Sequence, residues 1–300
     1  VINNEKIQSE LEREQEAKEV DTLAQSLLAA LSFGIYNLYR QYGTDSGLQM
    51  SRGNRKKNFF QAVSGIVSDH YKRVKEFILS KALGAFKMSY ELFMSVYEKE
   101  LDLPLVRNLP EKTIQEEMKK GYSLQKTITY NKNKTLKQLK KQFLESFRIG
   151  ETMELLTSRI SGVVEKDKKR VELVTSQETA RMQAQAQYKS MDDADEQGVN
   201  VEYYWVSMRD KKVRENHRKL HKKKADENGW FYVDGDKAKH PFMFSKISNN
   251  INCRCYLSIV GVHLKDTALQ RQLDEIKDSS ERRRVWEERI KTSKARKKVK

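Results

Sequence analysis

A mainly α chain with one small α+β module is what this sequence predicts, on three observations. The 300 residues hold only 3 Pro and 13 Gly, too few turn formers for an all-β architecture. Apolar residues recur every three or four positions through most of the first 198 residues, which is the period of a helix face. From Val201 the period shortens, and β-branched and aromatic residues cluster as they do in strands. The expected organisation is an elongated helical region over 1–198, a compact α+β module over 199–262 and a basic helical tail over 263–300.

Taken in order, residues 3–20 are predicted to form a charged, solvent-facing helix. Leu23, Leu27, Leu28, Leu31, Ile35 and Leu38 then share one face of an amphipathic helix that breaks near Gly43. Ser51 to Lys57 is a basic loop or helix start. A second long helix follows, with Phe59, Val63, Val67, Val74, Ile78, Phe86, Phe93 and Tyr97 as core of a bundle. LDLPLVRNLP is an extended connector, and Pro110 suits the start of the next helix, where its missing N–H costs nothing. Residues 123–149 combine Leu136, Leu139, Phe143 and Leu144 with a basic side of Lys132, Lys134, Lys137, Lys140 and Lys141. Gly150 closes that helix. A further helix starts at GETMELLTSRISG, and Lys166 to Ala194 is helical up to a stop at Gly198. In the module, VEYYWVSM is predicted as a strand, Arg209 to Lys224 as a helix, WFYV as a strand turned by Asp234-Gly235, and residues 251–260 as a third strand.

The charge is the strongest global signal. With 58 Lys and Arg against 42 Asp and Glu the chain carries +16, and self-repulsion of that size is relieved by a polyanion. Arg209, Lys211, Lys212, Arg214, Arg218, Lys219, Lys222, Lys223 and Lys224 crowd one stretch, and Lys294, Arg296, Lys297 and Lys298 crowd the tail. These residues are expected to contact DNA phosphate without sequence preference. A membrane partner is not expected, because the apolar run from Leu27 to Tyr39 is too short to span a bilayer. The acidic residues among the first twenty do not fit a signal peptide, and two cysteines one residue apart do not make a disulfide framework. A reducing compartment is expected.

Chemistry, where present, belongs to Tyr204–Ile259, which holds both cysteines, two of the three tryptophans and three of the five histidines. His217 and His221 would share a helix side, and Cys253 and Cys255 a strand face, so the four are candidate ligands for a structural zinc. The alternation Ile251, Cys253, Cys255, Leu257, Ile259 favours plain core packing, with cysteine as a small apolar residue. The expectation is therefore no cofactor and no metal. Asp210, His217 and a cysteine can be drawn as a catalytic set, but their order and spacing match no catalytic motif, so no catalytic residue is assigned. A metal-dependent nuclease and a DNA-binding protein unrelated to virions are the alternative readings.

Trp205, Asp210, Arg214 and His217 (W-x4-D-x3-R-x2-H), followed by N-C-R-C at Asn252, Cys253, Arg254 and Cys255, resemble the C-terminal module of phage minor head proteins of the Mu F type. The upstream helix with Thr175, Glu178 and a Gln/Ala-rich continuation ending at Gly198 is similar to that family's lead-in. The likeness covers roughly residues 150–260. It implies a non-enzymatic head morphogenesis protein inside the virion near the portal vertex, present in the host cytoplasm during assembly. Implied partners are the portal protein and packaged double-stranded DNA, with scaffold or major capsid protein as further partners. In some members the protein is carried into the host with the genome. The family often has glycine where His221 stands, so a His217/His221 pair would be a local feature. Asp210, Arg214 and His217 are expected to hold the module together by polar contacts to the CRC segment, with Trp205 packed beneath.

Overall fold

A computed structural model describes residues 18–34, 36–37, 43–44, 47–48, 54–107, 109–119, 124–208 and 210–298, without the side chains of 43–55 and 293–298. The predicted class holds: long helices dominate, and the larger strands lie in the C-terminal half. The chain forms two compact units, each discontinuous in sequence. One comprises Val1–Ser80 and Ser123–Ser176, the other Lys81–Tyr122 and Gln177–Lys300.

In the first unit, α1 (18–34), the first half of α2 (Asn54–Leu101), α4 (Leu124–Ile149) and the first half of α5 (Met153–Glu196) bury one stripe each. The stripes read Val20, Ala24, Leu27, Leu31; Phe59, Val63, Val67, Val74, Ile78; Ile128, Leu139, Phe143; and Leu156, Ile160, Val163, Val171. The steps are three, four, seven, eight or eleven, all close to whole helical turns, so each helix presents one continuous face. Phe59 meets Phe143 edge-on at 4.7 Å. The predicted residues 3–17, Ile35 and Leu38 lie outside the described residues. A two-residue ladder, β1 (Gly43–Thr44) with β2 (Gly47–Leu48), also belongs to this unit.

The core of this bundle is interrupted by one buried carboxylate. Asp167 accepts from Thr135 Oγ1 at 2.6 Å, from His70 Nε2 at 3.1 Å, from Arg170 at 3.0 Å and from the Tyr71 hydroxyl. Burial alone would raise its pKa, but the bonds from His70, Thr135 and Tyr71 outweigh burial and hold it below the ordinary carboxylate value.

The second unit packs the remainder of α2, with Phe86, Tyr90, Met94 and Tyr97 inward, against the C-terminal half of α5. The connector expected between α2 and α3 (Glu111–Lys119) buries Leu103 and Leu105, and Pro110 precedes α3. One helix, α5, covers both stretches read separately, and Gly162 lies within it without breaking it. Gly198, at φ +85°, ends it in a left-handed conformation that suits glycine. The chain then enters β3 (Val199–Val206), which pairs antiparallel with β6 (Tyr256–Leu264) from Val199↔Leu264 to Val206↔Tyr256, with a bulge at Glu202/Tyr203. Between them lie α6 (Glu215–Arg218), the hairpin β4 (Phe231–Val233) and β5 (Asp236–Ala238), and α7 (Ile247–Asn250). Asp234 and Gly235 turn that hairpin with φ of 45° and 73°, the mirror-image turn an Asp-Gly pair favours. The helical tail is two helices, α8 (Thr267–Glu275) and α9 (Ser279–Lys298). The second docks through buried Trp286, whose indole N–H donates to the Pro104 carbonyl at 2.7 Å.

Two expected elements are corrected. Of the stretch expected to be helical from Arg209 to Lys224, only Glu215–Arg218 is helical among the described residues. Lys222 takes φ 60°, and Lys222 and Lys223 give their backbone bonds to Trp205, so the chain lies beside β3 instead of coiling. The strand read at 251–260 begins only at Tyr256, because α7 and Asn252 at φ 53° precede it and carry the two cysteines in a loop.

Asp167→Asn keeps the shape but cannot accept from four donors as a carboxylate does. It is expected to lower unfolding free energy by about 2–4 kcal/mol in urea titrations. Because the folded pKa of Asp167 is depressed, its contribution is complete above about pH 4 and declines as pH falls further. The stability of Asp167→Asn is expected to change less than wild type over that acid range.

Candidate functional site

The module is built around Trp205, the penultimate residue of β3. Its indole is fully buried, with ring centres 5.0 Å from Phe231, 5.6 Å from Phe244 and 6.3 Å from His217, the last edge-on. Each partner comes from a different segment, so one side chain gathers α6, the hairpin and the segment leading to α7.

On the far side of His217 lie the two cysteines. His217 Nδ1 is 3.6 Å from Cys253 Sγ and 3.5 Å from Cys255 Sγ, and all three residues are buried. The two sulfurs interact directly. The Cys253 thiol donating to Cys255, with His217 beside it, holds the Cys255 thiol below its ordinary range despite burial. The same contact, together with burial, pushes Cys253 up. His217 Nε2 is buried without a partner.

The remaining residues of the two motifs form an outer brace. Asp210 takes both arms of the Arg254 guanidinium at 2.5 Å, and that bond chiefly lowers the Asp210 pKa. Arg214 donates to the Ile251 carbonyl. Asn252 supplies the left-handed turn, a conformation in which asparagine is several-fold enriched, that lets Cys253 and Cys255 face His217 while Arg254 between them points outward. The structure thus brings Trp205, Asp210, Arg214, His217, Asn252, Cys253, Arg254 and Cys255 to one corner. It leaves out His221, whose Nδ1 accepts from the Ser207 backbone N–H at 3.3 Å. With α6 ending at Arg218, the shared helix side expected for His217 and His221 does not form, and among the described residues only His217, Cys253 and Cys255 cluster.

The basic set divides by use. Arg214 is committed to Ile251, Arg218 donates to the Asp210 carbonyl at 3.1 Å, and Lys224 pairs with Glu202 at 3.2 Å. Lys211, Lys212, Lys219, Lys222 and Lys223 are exposed, and among the described residues their ammonium groups enter no ion pair. Arg209 and the side chains of Lys294, Arg296, Lys297 and Lys298 lie outside the described residues.

Sequence reasoning missed Asp236, Asn250 and Gln187. The Asp236 carboxylate accepts from Ser245 N–H and Oγ, Lys246 N–H and the Asn249 amide. Burial opposes ionisation, but these bonds hold its pKa down to about 2. Asn250 both accepts from and donates to the Phe244 backbone, placing that ring against Trp205. Gln187 on α5 donates to the Leu257 carbonyl at 2.9 Å and seats β6. No local pattern marks these three, since their partners lie six to seventy positions away.

Residues 137–258 match the family model described as Phage Mu protein F like protein, so the resemblance read from the two motifs holds over that segment. A 78-residue stretch is also 36% identical to the NAD(+)--arginine ADP-ribosyltransferase EFV of Enterococcus faecalis, covering 26% of this chain and 16% of that protein. No solved structure matches the chain. Among the described residues, no helix is long and apolar enough to cross a membrane.

Burial separates the roles of the motif residues. His217→Ala, which empties the space between Trp205 and the cysteines, is expected to destabilise the protein by about 2–4 kcal/mol. Asp210→Ala breaks a solvent-exposed pair and is expected to leave the melting temperature nearly unchanged. Parallel thermal denaturation of the two variants checks this; equal losses would mean that the outer brace carries the module.

Proposed function

We propose that this chain is a minor head protein that associates with the portal vertex and contacts packaged DNA, without enzymatic activity of its own. The observation that carries the reading is the match of residues 137–258 to the Mu F-like family. The net charge of +16 supports the DNA contact, and the five exposed lysines Lys211, Lys212, Lys219, Lys222 and Lys223 are its proposed footprint. They sit on turns beside the braced corner, which holds them at fixed spacing without using their charge. The exposed lysines of α4, including Lys134, Lys137 and Lys141, are a second stripe available to phosphate. In this reading the protein lies inside the head near the portal, is assembled in the host cytoplasm and leaves with the genome. The portal protein is its first protein partner, with scaffold and major capsid protein as the next to test. Because the matched stretch is 16% of the Enterococcus protein, that protein's named activity is not carried over.

Salt-dependent binding of the full chain to duplex DNA tests the footprint. The slope of log affinity against log salt is expected to fall by about 0.9 for each of the five lysines that contacts a phosphate and is changed to alanine. Binding is expected to be independent of sequence, and added divalent metal is expected to yield no cleavage. An unchanged slope would remove the footprint, and metal-dependent cleavage would favour the nuclease reading. Co-purification with the cognate portal ring tests the protein partner separately.

A further inference from the structure

We propose that His217, Cys253 and Cys255 bind a single zinc ion, with the fourth coordination position taken by water or a small exogenous ligand. The geometry is that of a formed site. Ligands on tetrahedral zinc at Zn–S of about 2.3 Å and Zn–N of about 2.0–2.1 Å lie about 3.5–3.6 Å apart for each nitrogen–sulfur edge. The two edges here are 3.6 Å and 3.5 Å. Three residues from two segments, 36 and 38 positions apart in sequence, thus meet with the spacing the ion requires.

Plain packing accounts for this arrangement less well. Strand alternation would place both cysteines on one packed face, but they lie outside the strand. His217 Nδ1 lies nearly equidistant from the two sulfurs, so its single in-plane hydrogen-bonding direction is shared between both. Zinc binds both cysteines as thiolates, any thiol proton passing to solvent, and takes the imidazole lone pair directly. Two thiolates and Zn²⁺ sum to no net charge, which a buried site tolerates. Two sulfurs and an imidazole select zinc over magnesium or calcium, which require oxygen ligands. The brace around the site, Asp210 to Arg254 and Arg214 to Ile251, joins the segments carrying the ligands, so the pocket stands before the ion arrives.

The test uses the full chain purified under reducing conditions. Elemental analysis is expected to find about one zinc per chain. After chelation, cobalt loading is expected to give the visible and near-ultraviolet absorption of a four-coordinate thiolate site. Cys255→Ser and Cys253→Ser are expected to weaken metal binding at least about tenfold, and His221→Ala to leave it unchanged. If either cysteine variant fails to fold, the cobalt spectrum of the wild-type chain decides alone. A folded wild-type chain without zinc and without a thiolate–cobalt spectrum would overturn the proposal. So would metal retained in full by both folded cysteine variants, or a Cys253–Cys255 disulfide in the chain purified under reducing conditions. Loss of metal in His221→Ala would overturn the assigned ligand set.

Discussion

Burial of the Trp205 indole is the interaction on which the strand-containing part of the second unit depends, because it joins short elements that are not stable apart. The module's other strands and helices between Val199 and Leu264 are three to nine residues long, and a hairpin or helical turn of that size is not stable alone. Phe231, Phe244 and His217 converge on one ring from separate segments. Truncating such a residue removes about 3–5 kcal/mol, a large share of the stability of a typical domain. The Trp205 backbone is used as well, since its N–H and carbonyl both pair with the Lys222–Lys223 segment.

Around that ring, buried polar groups determine which loop lies where. Asp236 binds the turn that starts α7, Asn250 binds Phe244, and Gln187 binds β6 to α5. Each would be costly to bury without its partners, so each excludes arrangements that leave it unsatisfied. Asp167 has the same effect in the helical bundle, where apolar stripes alone would tolerate sliding by a turn. His70, Tyr71, Thr135 and Arg170 meet it from three helices at one level.

The positive charge falls into two populations. Arg214, Arg218, Lys224 and Arg254 are bound to carbonyls or carboxylates of the module itself, and Arg254 beside Asp210 holds the loop of the two cysteines. Their removal would disturb local geometry more than any long-range field. The five uncommitted lysines contribute only to the field. Crowding in sequence therefore overstates how much of the charge is available to a polyanion.

The helical class, the apolar stripes of α1, α2 and α4, the stops at Gly150 and Gly198, the Asp-Gly hairpin and the two motifs were legible in the sequence. Each is a local pattern: a period, a turn pair, a composition or a spacing. The split of α2 and α5 between two units, the unwinding of Arg209–Lys224 and the docking of α9 by Trp286 were not. Backbone pairing with Trp205 overrides the helical reading of the basic stretch, and that partner is seventeen or more positions away. The sequence brought four candidate ligands together by assuming a helix and a strand. Tertiary structure kept three, because a left-handed Asn252 and a four-residue α6 aim Cys253, Cys255 and His217 at one point and turn His221 aside. What the sequence determined by itself was chain-local propensity and charge. Which groups meet was decided by burial of one indole and by polar atoms that could not be left unpaired.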